Sequence, residues 1–314
     1  MTEQCTEVLY IGGWGRSGST LLARMLGRIA GFVSVGEVRE LWQRGVIENR
    51  SCGCGSPFLR CEFWREVGVR AYGGWSAAYA EQMVTTGREL DSLRHSGWLR
   101  KRFGSGESAR AYLESLSPLY HAISEVGGDH VVVDSSKLPN YASLLAMSDE
   151  IDLSLVHLVR DSRGVANSWR KEVARPDRAE DPGEMNRYHA AAAAARYVGY
   201  NGLTELLARH TRLATRLRYE DLIDQPRASI ETMLAALCKS APADAFEWLD
   251  GNLADLGFDH TVDGNPMRMQ RGVVQLKSDQ TWRVQLPKSE WLVVTGLSLP
   301  MLWGYGYLKT GSRS

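Results

Sequence analysis

The sequence predicts an α/β protein of three layers, with a central parallel sheet flanked by helices, in a single domain spanning residues 1–314. Three observations carry this expectation. Short apolar or β-branched runs recur (VLYIGG, VVVD, LSLVHLV), and each is followed by a stretch of helical periodicity. Strand followed by helix, repeated, calls for a parallel sheet with crossover connections. The 314 residues are 44% apolar and 24% charged, the mix of a folded globular protein, with no internal repeat and no low-complexity linker. The 37 basic and 37 acidic residues cancel, so the net charge supports neither bulk nucleic-acid binding nor membrane-surface binding.

The elements follow in order. Val8 to Gly13 is a buried strand, and Ser19 to Ala30 a helix with Leu21, Leu22, Met25, Leu26 and Ile29 on one face. Phe32 to Val35 is the second strand. Tyr72 to Val126 has no clear strand and is expected to be a helical insertion that covers the site and selects substrate. Its aromatics Trp75, Tyr79, Trp98, Tyr112 and Tyr120 suit packing rather than a cofactor box. Val131 to Asp134, Leu153 to Val159 and, more weakly, Leu213 to Tyr219 are strands, each followed by a helix: Leu138 to Met147, Ser162 to Val173, Leu222 to Leu237. The six-Ala run from Ala190 is helix-forming. Ala174 to Arg187, polar with two Pro, is expected to be a mobile loop beside the site. Trp291 to Trp303 is too short and too interrupted by Pro300 to span a bilayer, and reads as a packed C-terminal segment.

Ligands of such sheets bind beyond the carboxyl ends of the strands. That rule singles out Gly13 to Thr20, the region of Glu37, Ser135 to Lys137, and Arg160 onward. Gly13-Trp14-Gly15-Arg16-Ser17-Gly18-Ser19-Thr20 joins the first strand to the first helix, and its amides and the helix N-terminus form an anion cradle. The G-x-x-x-x-G spacing is that of a Walker A loop, but Ser19 stands where its Lys belongs, and the cation is Arg16. Arg160 at a strand tip and Ser168 on the next helix could pinch a second phosphate. Asp134 mimics a Walker B carboxylate, which leaves a divergent Mg²⁺-dependent kinase as an alternative, with a non-catalytic nucleotide-binding protein as another.

Together these loops resemble the sulfotransferases that use 3′-phosphoadenosine 5′-phosphosulfate (PAPS). GWGRSGSTLLARML resembles that family's 5′-phosphosulfate loop, and LVRDSRGVANSW its 3′-phosphate motif, with Ser162 in place of the usual Pro. VSVGEVRELW resembles the Gly-Glu segment of the carbohydrate and tyrosyl-protein branches, VVVDSSKLPNY the segment whose Lys contacts the transferring group. GCGSPFLRCEFW, LRYEDL and GNPMRMQRG followed by Asp279-x-x-Trp282 resemble segments common in bacterial members. The resemblance implies a P-loop-like fold and transfer of a sulfuryl group from PAPS to an acceptor hydroxyl or amine, with release of 3′-phosphoadenosine 5′-phosphate (PAP) and no metal. It places the general base at Glu37, with Glu40 its competitor one turn on. Lys137 and Arg16 stabilise developing charge. Gly15, Arg16, Ser17, Gly18, Ser19, Thr20, Arg160 and Ser168 bind the donor, and Arg271 with Gly272 closes over its 3′-phosphate and adenine. The acceptor would be a small molecule, a glycan or a natural product, with no nucleic acid as partner and no stable membrane insertion.

The N-terminus shows no export pattern, so a cytoplasmic protein is expected, with Cys52, Cys54 and Cys61 as thiols in a reducing compartment. Their C-x-C-x6-C array could supply three zinc ligands, with no fourth nearby in the sequence; a disulfide is the other option. The seven His show no metal spacing: His130 and His157 suit the core, His189 or His260 an auxiliary acceptor contact.

Overall fold

The computed structural model of the chain describes residues 5–91, 107–174 and 185–308. Its main sheet has five parallel strands, β1 (Thr6–Gly13), β2 (Phe32–Gly36), β3 (Val131–Lys137), β4 (Ile151–Val159) and β5 (Leu213–Arg218). Their order is β2-β3-β1-β4-β5, so β1 lies at the centre. A parallel strand covered on both faces must be apolar on both. Accordingly Val8 and Tyr10 enter one core while Leu9 and Ile11 enter the other, all with no exposed surface.

The helices are α1 (Ser19–Leu26), α2 (Glu62–Tyr72), α3 (Ala77–Asp91), α4 (Glu107–Val126), α5 (Pro139–Leu145), α6 (Ser162–Arg170) and α7 (Ala190–Ala208). After β5 come α8 (Tyr219–Asp224), α9 (Pro226–Ala236), α10 (Trp282–Gln285) and α11 (Lys288–Gly304). The helix expected to run to Ala30 stops at Leu26, because the chain must turn close against β2: a Cβ on Gly27 would lie 2.7 Å from the Cβ of Ser34. The helix expected over Leu222 to Leu237 is split in two at Pro226, which cannot donate a helical hydrogen bond.

Two expectations are adjusted. The described part of 72–126 is helical, but none of its described residues lines the cavity introduced below. It buttresses the chain that carries the site. Trp42, buried just beyond Glu37, meets Tyr72, Trp75 and Tyr79 at ring separations of 5.5, 5.9 and 5.5 Å. Trp98 and residues 175–184 of the expected mobile loop lie outside the described residues. The C-terminal apolar stretch forms α11 but is packed on one face only. Val294, Ser298 and Leu302 are buried, whereas Leu292, Leu297, Leu299 and Trp303 are exposed. No helix among the described residues is long and apolar enough to cross a membrane.

A second, antiparallel sheet of two- and three-residue strands, β6 (Leu249–Asp250), β7 (Leu253–Asp255) and β8 (Val273–Gln275), was not legible in the sequence. It brings the late part of the chain back to the carboxyl edge of the main sheet, where Gln275, Leu276 and Lys277 border the site.

Candidate active site

A cavity of about 520 Å³ opens at the carboxyl ends of the main strands, where an α/β sheet binds its ligands. Gly15, Arg16, Gly18, Ser19 and Thr20 line it from the first loop. Glu37 enters from β2, Lys137 from β3, and Arg160 and Ser168 from β4 and α6.

The first loop turns tightly over the amino end of α1. Gly18, at φ 94°, occupies the left-handed region, and a Cβ there would lie 2.5 Å from Cδ2 of Tyr219. The side chain of Ser17 is buried, with its Oγ meeting no hydrogen-bond partner among the described residues. A buried donor of that kind calls for an acceptor, and an anion seated in the loop supplies one. Thr20 Oγ1 accepts from the Asn265 amide at 3.0 Å, tying the loop to the far wall. Arg16 and Lys137 are both non-glycine residues at φ 69°, a costly conformation that tends to persist at functional sites. Both cations expected to act on the transferring group therefore sit on strained backbone.

The two loops expected to bind anions meet. Arg160 Nη1 donates to the carbonyl of Arg16 at 3.0 Å, and the guanidinium lies 4.6 Å over the ring of Tyr219. The neighbouring Asp161 does not pair with Arg160. It caps α6 by accepting from the Arg163 amide at 2.9 Å and binds the Arg163 guanidinium, its Oδ2 at 2.6 Å from Nη2. Arg160 is left facing the cavity, with Asp279 Oδ2 3.6 Å away as its ionic partner.

Glu37 and Lys137 form an ion pair, Nζ against Oε1, and Lys137 also donates to the Ser135 carbonyl at 3.0 Å. Burial pushes the Glu37 carboxyl up to about 7; Lys137 pulls it down, and Asp263 and Glu40 add to the rise. Glu40 differs sharply. Burial acts on it too, but Arg39 (2.7 Å) and Arg44 (3.3 Å) outweigh burial and hold it below the usual carboxylate range. Of the two candidate bases, only Glu37 is poised near neutral pH, where a base works best.

Asp134, the carboxylate that could have held Mg²⁺, is fully buried and does not line the cavity. Its oxygens accept from Tyr120 Oη at 2.5 Å and from the amide and hydroxyl of Ser136 at 2.8 and 2.5 Å. It is a structural bolt beneath the Glu37 segment: the Val38 amide also bonds to it, and the Arg39 amide donates to Ser136 Oγ at 3.1 Å.

Arg271 and Gly272 are not brought to the cavity. Arg271 donates to the Cys54 carbonyl at 2.9 Å and lies 4.5 Å over Phe258. The short strand β8 that follows turns Gln275 and Lys277 inward instead. Sequence reasoning also missed Arg44 and Asp263, which line the cavity and pair at 3.1 Å, and Trp169, whose ring Arg16 overlies at 5.0 Å. Arg44 falls seven residues after Glu37, a spacing that could have flagged it; Asp263 carries no such signal. His157 is buried and bonded to Asn201 at 2.9 Å, as a core histidine should be. His189 is exposed at the start of α7. His260 does not reach the cavity; it faces the cysteines.

Residues 9–238 match the model of a family described as the sulfotransferase family. The chain belongs to the sulfotransferase family. Among solved structures it is similar to the sulfotransferase domain of the Synechococcus PCC 7002 olefin synthase, with 18% identity, a TM-score of 0.52 and 95% of each chain covered. It is also similar to the sulfotransferase domain from the curacin biosynthetic pathway, with 16% identity, a TM-score of 0.51, and 95% of this chain and 98% of that one covered. Both likenesses are of fold. No curated protein matches the sequence.

Proposed function

We propose that this sulfotransferase takes the sulfuryl group from PAPS and passes it to a hydroxyl of a small molecule, glycan or natural product, releasing PAP. The observation that carries the proposal is the meeting of two anion motifs, Arg160 against the Arg16 carbonyl, beside a carboxylate raised to about 7. A donor with anionic groups at both its 5′ and 3′ ends needs two such motifs in one cavity.

The loop Gly15 to Thr20 holds the 5′ end, Ser17 giving its buried hydroxyl and Arg16 its charge. Arg160 and Ser168 hold the 3′-phosphate. Glu37 takes the proton from the acceptor hydroxyl as its oxygen bonds to sulfur, and the bond from sulfur to the phosphate oxygen breaks in line. Lys137 and Arg16 neutralise the charge that builds on the departing oxygen. Lys137 is paired with Glu37 in the same cavity, which holds this cation beside the proposed base. Burial, with Asp263 and Glu40 in the same cavity adding to it, keeps the proton affinity of Glu37 high. Asp134, with its oxygens taken by Tyr120 and Ser136, lends nothing to a Mg²⁺-dependent kinase.

Thermal shift of the purified chain with PAP tests the donor assignment. PAP should raise the melting temperature by several degrees without added Mg²⁺, while ATP with Mg²⁺ should do far less. No shift with PAP, or a shift only with ATP and Mg²⁺, overturns it.

A further inference from the structure

The three cysteines meet a fourth ligand from the other end of the chain. Sγ of Cys52, Cys54 and Cys61 and Nδ1 of His260 all lie within 4.8 Å of one another. Cys54 to Cys61 is 3.7 Å, Cys61 to His260 Nδ1 3.3 Å, and Cys52 to His260 Nδ1 3.8 Å. A tetrahedral zinc with Zn–S of about 2.3 Å holds its ligand atoms about 3.8 Å apart. Three of the six separations already stand near that spacing, and all lie within 4.8 Å. A disulfide, at about 2.05 Å, would need two sulfurs to close on each other and would strand the third.

The surroundings fix the ligands in place. The Cys52 amide donates to the Ser56 carbonyl and the Gly55 amide to the Cys52 carbonyl, both at 2.8 Å, which folds Cys52 and Cys54 into one tight knuckle. Gly55, at φ 93°, makes that turn. Cys52 and Cys61 are buried, and the imidazole of His260 stacks on Phe63 at 4.6 Å with its plane 5° away. Trp64 Nε1 donates to the His260 carbonyl at 2.9 Å. Ring plane and backbone of His260 are both held, with Nδ1 turned to the sulfurs.

We propose that Cys52, Cys54, Cys61 and His260 bind one Zn²⁺ as a structural site. Four protein ligands close the coordination sphere and leave no position for substrate. None of the four lines the active-site cavity. The sequence offers no fourth ligand near the cysteines, and the fold supplies one 199 residues beyond Cys61.

The consequence is a clip behind the active site. His260 begins the segment that runs through Asp263, Gly264 and Asn265 on the cavity wall. Around it, the Gly53 amide donates to the Thr261 carbonyl and the Val262 amide to the Val35 carbonyl, both at 2.9 Å, two residues before Glu37. Arg268 Nη2 donates to the Ser51 carbonyl at 2.8 Å. Zinc would lock the cysteine knuckle, this wall and β2 into one unit.

The test is the metal content of the full chain, purified without added metal and measured by plasma mass spectrometry. About one zinc per chain is expected. Cobalt exchanged into the same protein should give intense visible bands of tetrahedral Co²⁺ and a thiolate-to-metal charge-transfer band in the near ultraviolet. Cys61→Ser and His260→Asn should lose the zinc and melt at lower temperature, whereas Cys238→Ser, at an exposed cysteine, should keep it. If the site variants do not fold, the wild-type zinc content and cobalt spectrum decide alone. A chain that stays zinc-free after incubation with zinc and gel filtration, an octahedral cobalt spectrum, or a Cys54–Cys61 disulfide in the protein as purified each overturns the proposal.

Discussion

The ammonium of Lys137 rests on the carboxylate of Glu37, and the two come from the carboxyl ends of neighbouring strands, β3 and β2. The sheet itself thus sets the distance between the proposed base and the cation that assists the leaving group. Burial nonetheless keeps the Glu37 carboxyl near 7 rather than in the usual carboxylate range. A base must be unprotonated in the free enzyme, so kcat/KM should climb about tenfold per pH unit below this value and level off above it. Glu37→Gln should lose about 10²–10⁴ in kcat at every pH while still binding PAP. The pH profile of sulfuryl transfer, paired with calorimetric PAP titration of the variant, checks both. An acid limb that stays near pH 4.5 would mean that burial does not raise the Glu37 carboxyl, and turnover retained in Glu37→Gln would mean that Glu37 is not the base.

Arg160 makes a prediction about which end of the donor it reads. Its charge is not consumed by Asp161, which is taken by Arg163. Arg160→Ala should weaken PAP about 10–100-fold, the range for losing a charge-assisted hydrogen bond. Adenosine 5′-phosphate, which has no 3′-phosphate, should bind the variant and the wild type nearly alike. Calorimetry with both nucleotides separates loss of 3′ recognition from general damage to the cavity, which would weaken the two equally.

The central strands and the loops at their ends were legible because β1, β3 and β4 are rich in apolar residues and are covered on both faces, whereas the edge strand β5, LATRLR with a single buried residue, gave a weaker signal. Glu37, Lys137, Arg16 and Arg160 followed from the rule that such strands deliver ligand groups at their carboxyl ends. The rest depended on contacts between distant segments. Strands of two and three residues such as β6 and β8 have no periodicity to detect, so the turn that carries Lys277 inward and Arg271 away could not be placed. Asp263 and Arg44 find each other across more than two hundred residues, and no local pattern marks that pairing. His260 was hidden for the same reason: a ligand set completed from the far end of the chain has no spacing signature.

Gly18 holds the first loop in a shape that no side chain allows. At φ 94° and with Tyr219 2.5 Å from the site of a Cβ, Gly18→Ala suffers both backbone strain and a clash. Tyr219 is also the ring beneath Arg160, so the displacement reaches the second anion motif. The variant should bind PAP at least about tenfold more weakly and melt a few degrees lower. Gly251→Ala is the control. It too is a positive-φ glycine, at 57°, but nothing among the described residues lies within 4 Å of its Cβ position, so it should lose stability without losing PAP. Equal loss of PAP in both variants would show that backbone strain at large, rather than the shape of this loop, sets affinity.

Asp134 separates a structural carboxylate from a metal ligand. Burial pushes its carboxyl up, while the hydrogen bonds from Ser136 and Tyr120 pull against that rise. Asp134→Asn can keep its carbonyl oxygen on the Ser136 side and turn its amide to Tyr120, whose hydroxyl is able to accept and to aim its own proton at Tyr141, 3.2 Å away. The cost should be about 1 kcal/mol in urea unfolding. Asp134→Ala leaves the Ser136 amide, the Val38 amide and Tyr120 without their acceptor and should cost about 2–4 kcal/mol. Because the Val38 amide follows directly on Glu37, the Ala variant should also lower kcat, with PAP affinity nearly unchanged. If Asp134 instead held a catalytic cation, both substitutions would abolish turnover equally and the Asn variant would keep wild-type stability. The ordering of the two variants in unfolding free energy, set beside their ordering in kcat, therefore distinguishes a bolt from a ligand.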